Sequence, residues 1–244
     1  MSTLFISDLH LQSERPQITR AFYDFLNRHA SQADALYILG DFFNVWLGDD
    51  AQSSLHREVA ARLNTLSAQG TAVYLMHGNR DFLIGQDFCR QAGAILLDDP
   101  SRIDLYGTPA LLMHGDSLCL DDSGYQRYRR FIRSPMILGL LRRIPLALRN
   151  RIANDIKSKS AEAKHYKPAQ IMDVTSAEVH RQLQSAGLNL LIHGHTHRPD
   201  IHQLPENPQQ QRIVLGDWED LGWYLQWHAN GQHQLISFPI PPDA

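Results

Sequence analysis

Thr3-Leu4-Phe5-Ile6-Ser7-Asp8-Leu9-His10 sets a short apolar run directly before a carboxylate and an imidazole. The arrangement recurs along the chain. Ala35 to Leu39 runs into Gly40-Asp41, Thr71 to Met76 into Gly78-Asn79-Arg80-Asp81, Pro109 to Met113 into His114-Gly115-Asp116, and Leu188 to Ile192 into His193-Gly194-His195-Thr196-His197. Short β-rich runs read as buried strands. Polar residues that repeatedly follow such strands collect at their carboxyl ends, where α/β sheets present their sites. The attached glycines let backbone approach closely.

Amphipathic stretches fill the intervals. Pro16 opens a predicted helix whose Ile18, Phe22, Phe25 and Leu26 share one face, and a second carries Leu55, Val59, Leu63 and Leu66 with Gly70 as its stop. Thr175-Ser176-Ala177-Glu178 predicts a capping box ahead of a further helix. Beyond Pro199 the texture is β only: Trp223, Leu225 and Trp227 alternate, and Asn230-Gly231 predicts a hairpin that returns through His233 to Phe238. The rhythm predicts an α/β (α+β) fold over 1–244 as a single domain.

Composition excludes several classes. With 43% hydrophobic and 20% charged residues in 244, the chain is neither disordered nor collagen-like. Ala35 to Leu39 and Met136 to Leu141 are among its longest apolar stretches, far below the roughly 18 residues of a membrane span. The start of the chain lacks the basic region of a signal peptide. Cys89 and Cys119 fit neither a zinc knuckle nor a redox pair and read as core fillers in a reduced, cytoplasmic protein.

The net charge of −3 is strongly segregated: residues 127–167 carry +10 and the remainder −13. Such asymmetry predicts an anionic partner for one region and a metal-concentrating site in the other. The basic part belongs to a segment, 121–167, that interrupts the α/β rhythm. There Arg127, Arg129, Arg130, Arg133, Arg142, Arg143, Arg149 and Arg151 punctuate aliphatic and aromatic residues, with Pro135 and Pro145 breaking it into short helices. It reads as a basic, apolar helical cap inserted in the domain.

The polar cluster offers carboxylates, imidazoles and an amide without thiolates, a donor set that suits Mn²⁺, Fe²⁺ or Zn²⁺ and not a calcium cage. The ordered series Asp8-x-His10, Gly40-Asp41, Gly78-Asn79, His114 and Gly194-His195-x-His197 resembles the calcineurin-like metallophosphoesterase superfamily. The longer strings Ser7-Asp8-Leu9-His10-Leu11, Gly48-Asp49-Asp50, Gly78-Asn79-Arg80-Asp81-Phe82-Leu83 and His193-Gly194-His195-Thr196-His197-Arg198-Pro199 are similar, within it, to the pyrophosphohydrolases of lipid A biosynthesis that act on UDP-2,3-diacylglucosamine.

The resemblance implies a β-sandwich flanked by helices with a two-metal site, most readily Mn²⁺. Asp8, His10 and His197 would hold one ion, Asn79, His114 and His195 the other, and Asp41 would bridge them. One carboxylate between two divalent ions screens their repulsion and leaves room for a water to be activated as nucleophile. Asp41 and Arg80 would act in catalysis. Asn79, Arg80, Asp122, Ser160, Lys164, Lys167 and His195 would contact a nucleotide-linked diacylated sugar, cleaved to UMP and 2,3-diacylglucosamine 1-phosphate. Peripheral association with an anionic inner-membrane surface, on its cytoplasmic face, would follow. No nucleic-acid or protein partner is expected.

Arg80 separates subfamilies. In the protein phosphatases of the superfamily a His at this place can protonate an alkoxide, whereas Arg stays charged and instead neutralises phosphate. That suits a phosphate leaving group, whose last pKa near ~6 needs little acid assistance. Asn44 departs from the acid that related Gly-Asp-x-x-acid motifs carry. His193 precedes the two terminal ligands and reads as a supporting residue. Two other classes stay open at this level. A phosphodiesterase for nucleic acid or cyclic nucleotide would use the basic segment as a phosphate track, but aromatic stacking platforms there are sparse. A noncatalytic binding module would be expected to lack a ligand, and none is missing.

Overall fold

Four apolar runs build the first half of the fold: β1 (Ser2–Ile6), β2 (Ala35–Leu39), β3 (Ala72–Met76) and β4 (Ala94–Leu97) lie parallel, with Thr3 beside Ala35, Ala35 beside Ala72 and Val73 beside Ala94. The computed structural model describes residues 1–141, 143–153, 173–205 and 207–242. Helices α1 (Pro16–Arg28), α2 (Ser54–Ala68) and α3 (Gln86–Ala92) supply the crossovers. Pro16 stands at the start of α1, where its missing N–H costs nothing. Ser53 and His56 close a capping box at α2.

The second sheet is assembled from β5 (Ser101–Leu105), β6 (Thr108–Met113), β7 (Leu190–His193), β8 (Asp200–Leu204) and β9 (Asn207–Val214), in the order β5-β6-β7-β9-β8. Strands β6, β7 and β9 are parallel. The chain then returns to the first sheet as the hairpin β10 (Leu221–His228) and β11 (His233–Pro239), giving the order β11-β10-β1-β2-β3-β4. Gly231 takes the left-handed φ of 85° that the hairpin turn requires.

The two sheets face each other across Phe5, Leu39, Met76, Leu112, Ile192, Ile213, Leu225 and Trp227. Helices α1 to α3 cover the outer face of the first sheet through Ile18, Phe22, Val59, Leu63 and Phe88. A last helix, α7 (Ser176–Ala186), covers the second through Val179 and Leu183. The result is a β-sandwich flanked by helices, as anticipated.

Between β6 and α7 lie α4 (Ser123–Ile132), α5 (Pro135–Leu141) and α6 (146–153 among the described residues). The breaks fall at Pro135 and Pro145, and Leu138 and Leu141 pack against the first core. No described helix is long and apolar enough to cross a membrane.

The predicted capping box at α7 does not form. Thr175 is the N-cap, but its hydroxyl accepts instead from the Leu120 amide at 3.2 Å, and Glu178 pairs with Arg181. Three of the cap's arginines are engaged within the domain. Arg129 and Arg133 are tied to Asp116 and Asp99, and Arg149 to Asp50 and the Leu47 carbonyl, so these three guanidinia anchor the cap to the domain. Cys89 and Cys119 are buried and unbridged.

Candidate metal centre

The carboxyl ends of β1, β2, β3, β6 and β7 meet at one edge of the sandwich, and backbone bonds zip their loops together. Asp8 N donates to Gly40 O at 3.1 Å, His10 N to Asp41 O at 3.0 Å and Gly194 N to His114 O at 2.9 Å. Asp81, fully buried, ties two loops through one carboxylate: it accepts from Gly78 N at 2.7 Å and from Phe42 N at 2.8 Å. Gly78 cannot be enlarged, because a Cβ there would collide with the Asp41 backbone and carboxylate.

The backbone is strained where the chemistry sits. Among the described residues, six non-glycines adopt positive φ; five of them are Asp8 (57°), His10 (50°), Asp41 (49°), His195 (69°) and His197 (55°). Each such conformation costs on the order of 1–3 kcal/mol and persists only where surrounding structure enforces it.

The side chains converge accordingly. The two Asp41 oxygens face different imidazoles: Oδ2 lies 3.9 Å from His10 Nδ1 and Oδ1 lies 3.8 Å from His114 Nε2. Asn79 Oδ1 is 3.0 Å from the same His114 nitrogen. His197 Nε2 lies 3.5 Å from Asp8 Oδ1, and the His195 ring sits 5.0 Å from that of His114. Potential ligand atoms of Asp8, His10 and His197 lie within 4.8 Å of one another, as do those of Asp8, Asp41 and His114. The structure thus brings all seven sequence-predicted ligands to one edge.

Supporting bonds set the tautomers. His114 Nδ1 contacts Leu39 O at 2.9 Å, which frees Nε2 toward Asp41 and Asn79. His197 Nδ1 lies 3.1 Å from Asp217 Oδ2, leaving Nε2 toward Asp8. Asp217 was missed in the sequence, although Gly216-Asp217 after the apolar end of β9 repeats the pattern of Gly40-Asp41. His193 is fully buried at the end of β7, its Nδ1 2.8 Å from Gly194 O, and burial pushes its pKa down to about 3.

The electrostatics ask for cations. Burial, with the neighbouring Asp8 and Asp81 charges, pushes the Asp41 carboxyl up to about 7 despite His114 and Arg80. Burial alone would also raise Asp8, yet the imidazoles of His197, His114 and His10 together hold it well below the usual carboxylate range. Burial drives His10 to about 3 and His195 to about 4, so both present neutral imidazoles. For His197 burial is outweighed by Asp217 and Asp8, which push it up to about 10. Among the described residues, both His10 ring nitrogens and Asp8 Oδ1 are buried without a hydrogen-bond partner. A buried polar atom left unpaired costs roughly 1–3 kcal/mol, so these orphans, with excess buried carboxylate, fit a divalent-cation site. The absence of thiolates fits Mn²⁺, Fe²⁺ or Zn²⁺.

Arg80 stands over this cluster. Its amide donates to Asp41 Oδ1 at 2.8 Å, its Nε lies 3.5 Å from Asp41 Oδ2, and its Nη1 donates to Asn44 Oδ1 at 2.8 Å. Asn44 in turn donates to Gln12 Oε1 at 2.6 Å, so the residue that departs from an acid orients the guanidinium. Asp122 caps α4 by accepting from Tyr125 N at 3.0 Å, and the Tyr125 ring stacks on His195 at 6.3 Å. Ser160, Lys164 and Lys167 lie outside the described residues.

A family model described as calcineurin-like phosphoesterase matches residues 1–199. The UDP-2,3-diacylglucosamine hydrolase of Pseudomonas aeruginosa is 54% identical over 241 residues, spanning 98% of this chain and all of that protein. The protein of that name from Azotobacter vinelandii is equally similar, at 54% over 98% of this chain and 100% of its own. Among solved structures, a novel archaeal phosphodiesterase superimposes with a TM-score of 0.50 at 12% identity, covering 98% of this chain and 100% of that one, a likeness of fold alone.

Proposed function

Because this chain belongs to the calcineurin-like phosphoesterases, we propose that it hydrolyses the pyrophosphate bond of UDP-2,3-diacylglucosamine, releasing UMP and 2,3-diacylglucosamine 1-phosphate, a step of lipid A biosynthesis. The observation that carries the reading is near-full-length similarity to hydrolases of that substrate, on a chain whose own edge gathers Asp8, His10, Asp41, Asn79, His114, His195 and His197. Asp8, His10 and His197 would hold one ion and Asn79, His114 and His195 the other, with Asp41 shared. Two divalent ions so held, Mn²⁺ by preference, would supply Lewis-acid activation of water and a clamp on phosphoryl oxygens.

The chain's own groups do the rest. Arg80, fixed by Asn44 and Asp41, neutralises charge that builds on the pyrophosphate. Water adds its oxygen to the α-phosphorus, the bond to the bridging oxygen breaks, and the sugar phosphate leaves as an anion that needs no protonation at neutral pH. Asn79, His195 and Asp122, with Ser160, Lys164 and Lys167, bind the substrate. Residues 121–167 act as a cap inserted in the single domain. On it Phe131, Met136, Leu140, Leu146 and Leu148 are exposed apolar groups suited to acyl chains and to the cytoplasmic face of the inner membrane, while Arg127, Arg130, Arg143 and Arg151 stay exposed for anionic headgroups.

Hydrolysis in ¹⁸O-labelled water with mass analysis of both products tests substrate and regiochemistry together. The label is expected in UMP. Label in the sugar phosphate would overturn attack at the α-phosphorus, and no turnover of the metal-loaded chain would overturn the substrate.

A further inference from the structure

We infer that Arg133 is a positioning residue through which the seating of α4 sets the two loops that carry Asn79 and His114, so that the cap and the metal centre are coupled. Its Nη2 donates to Gly78 O at 2.8 Å and to Asp116 Oδ2 at 3.2 Å. Gly78 immediately precedes Asn79, and Asp116 follows His114 by two residues. One guanidinium therefore joins both loops close behind the point where Asn79 Oδ1 and His114 Nε2 meet at 3.0 Å.

Arg133 is part of a stripe. Tyr125, Arg129 and Arg133 recur every four residues along one face of the cap's leading helix, and all three reach Asp116 Oδ2, at 2.8 Å from the Tyr125 hydroxyl and 2.7 Å from Arg129 Nε. The Tyr125 ring also stacks on His195, so the stripe touches three loops that carry proposed ligands. Asp116 is fully buried, and buried Asp99 supplies a second carboxylate to the two arginines. An anchor that only held the cap down would need the paired charges but not the bond to Gly78 O. The other latch, Arg149 on Asp50 and Leu47 O, holds α6 to the far part of the β2–α2 connection, six or more residues beyond Asp41, and touches neither the Asn79 loop nor the His114 loop.

Coupling of this kind is reciprocal: cations that fix the Asn79 and His114 loops tighten α4 by the same factor that a seated α4 tightens the cations. The inference rests on the reading of this edge as a metal centre. Its test is Mn²⁺ uptake by the full chain without substrate, followed by electron paramagnetic resonance of free Mn²⁺, with hydrogen exchange of residues 123–133 in parallel. Arg133→Gln should weaken Mn²⁺ binding about 10-fold, the usual effect of losing a ligand-orienting partner, and Arg133→Lys should recover part of it. Arg149→Gln should leave Mn²⁺ affinity within about twofold, since it touches neither loop. In the wild-type chain, Mn²⁺ should slow exchange in 123–133.

Unchanged affinity in a folded Arg133→Gln chain, or equal losses in Arg133→Gln and Arg149→Gln, would overturn the coupling. Should Arg133→Gln fold poorly, the wild-type arm decides alone, because absent Mn²⁺-dependent protection of 123–133 also overturns it. A wild-type chain that takes up no Mn²⁺ marks failure of the metal reading itself.

Discussion

Asp217 Oδ2 stands 3.1 Å from His197 Nδ1, while Nε2 of the same ring stands 3.5 Å from Asp8 Oδ1. The imidazole is held between two carboxylates, one orienting it and one sharing its proposed cation. Asp217→Ala should therefore lower metal affinity about 10- to 100-fold, and Asp217→Asn, which keeps an acceptor oxygen, by less. Calorimetric titration with Mn²⁺ measures both. Equal affinity in Asp217→Ala would show that His197 needs no orienting partner.

Metal uptake should depend on pH with a definite sign. His197, raised to about 10, and Asp41, raised to about 7, must each surrender a proton before they can ligate. His10 and His195, lowered to about 3 and about 4, are already neutral and contribute nothing above that range. The logarithm of affinity should climb with pH at a slope of at least one up to about 10, and more steeply below about 7. The gap in Tm between loaded and stripped protein should widen in step. A flat profile between pH 5 and pH 8 would contradict this protonation pattern.

Arg80 makes a prediction about the leaving group. Arg80→Ala should reduce pyrophosphate hydrolysis about 10²- to 10³-fold, the range for removing one donor to developing charge. Arg80→His should gain activity on aryl or alkyl phosphate esters, whose leaving groups need a proton. Comparative kcat measurements on both substrate types check this. A fully active Arg80→Ala enzyme would reduce the residue to a surface ion pair.

Much of this was legible because strands and ligands share one signal. β1, β2, β3, β6 and β7 are apolar runs, buried at least toward their carboxyl ends, and each hands the chain to a polar residue there. Two strands of the second sheet were not legible. β5 alternates polar and apolar residues, and β9 begins Asn207-Pro208-Gln209-Gln210, which reads as a loop until pairing with β8 and β7 gives it a place. The α7 capping box failed because both of its side chains found other partners. Charge counting along the cap could not see that Arg129, Arg133 and Arg149 are paired, since Asp99, Asp116 and Asp50 come from elsewhere in the chain. The same blindness to distant partners hid Asp217 and the Asn44 contact to Arg80.

The cap should discriminate by acylation. Phe131 and Met136 are 62% and 83% exposed, whereas Leu141 packs on the first core, so the former pair is the better probe of an acyl-chain face. Phe131→Asp with Met136→Asp should raise KM for the diacylated substrate about 10-fold or more and leave KM for a deacylated UDP-sugar unchanged, given about 1.5–3 kcal/mol for burying one large apolar side chain. Vesicle binding should require anionic lipid and weaken with salt, since exposed attractions are screened beyond about 8 to 10 Å. Equal losses on both substrates would make the cap a prop for the fold.

The central claim is that Asp41 is shared by two cations at this edge. Anomalous diffraction at the manganese edge from crystals of the Mn²⁺-loaded chain tests it most directly. Two peaks are predicted, one among Asp8, His10 and His197 and the other among Asn79, His114 and His195, with Asp41 between them. A single peak, or peaks away from these seven side chains, would contradict the account.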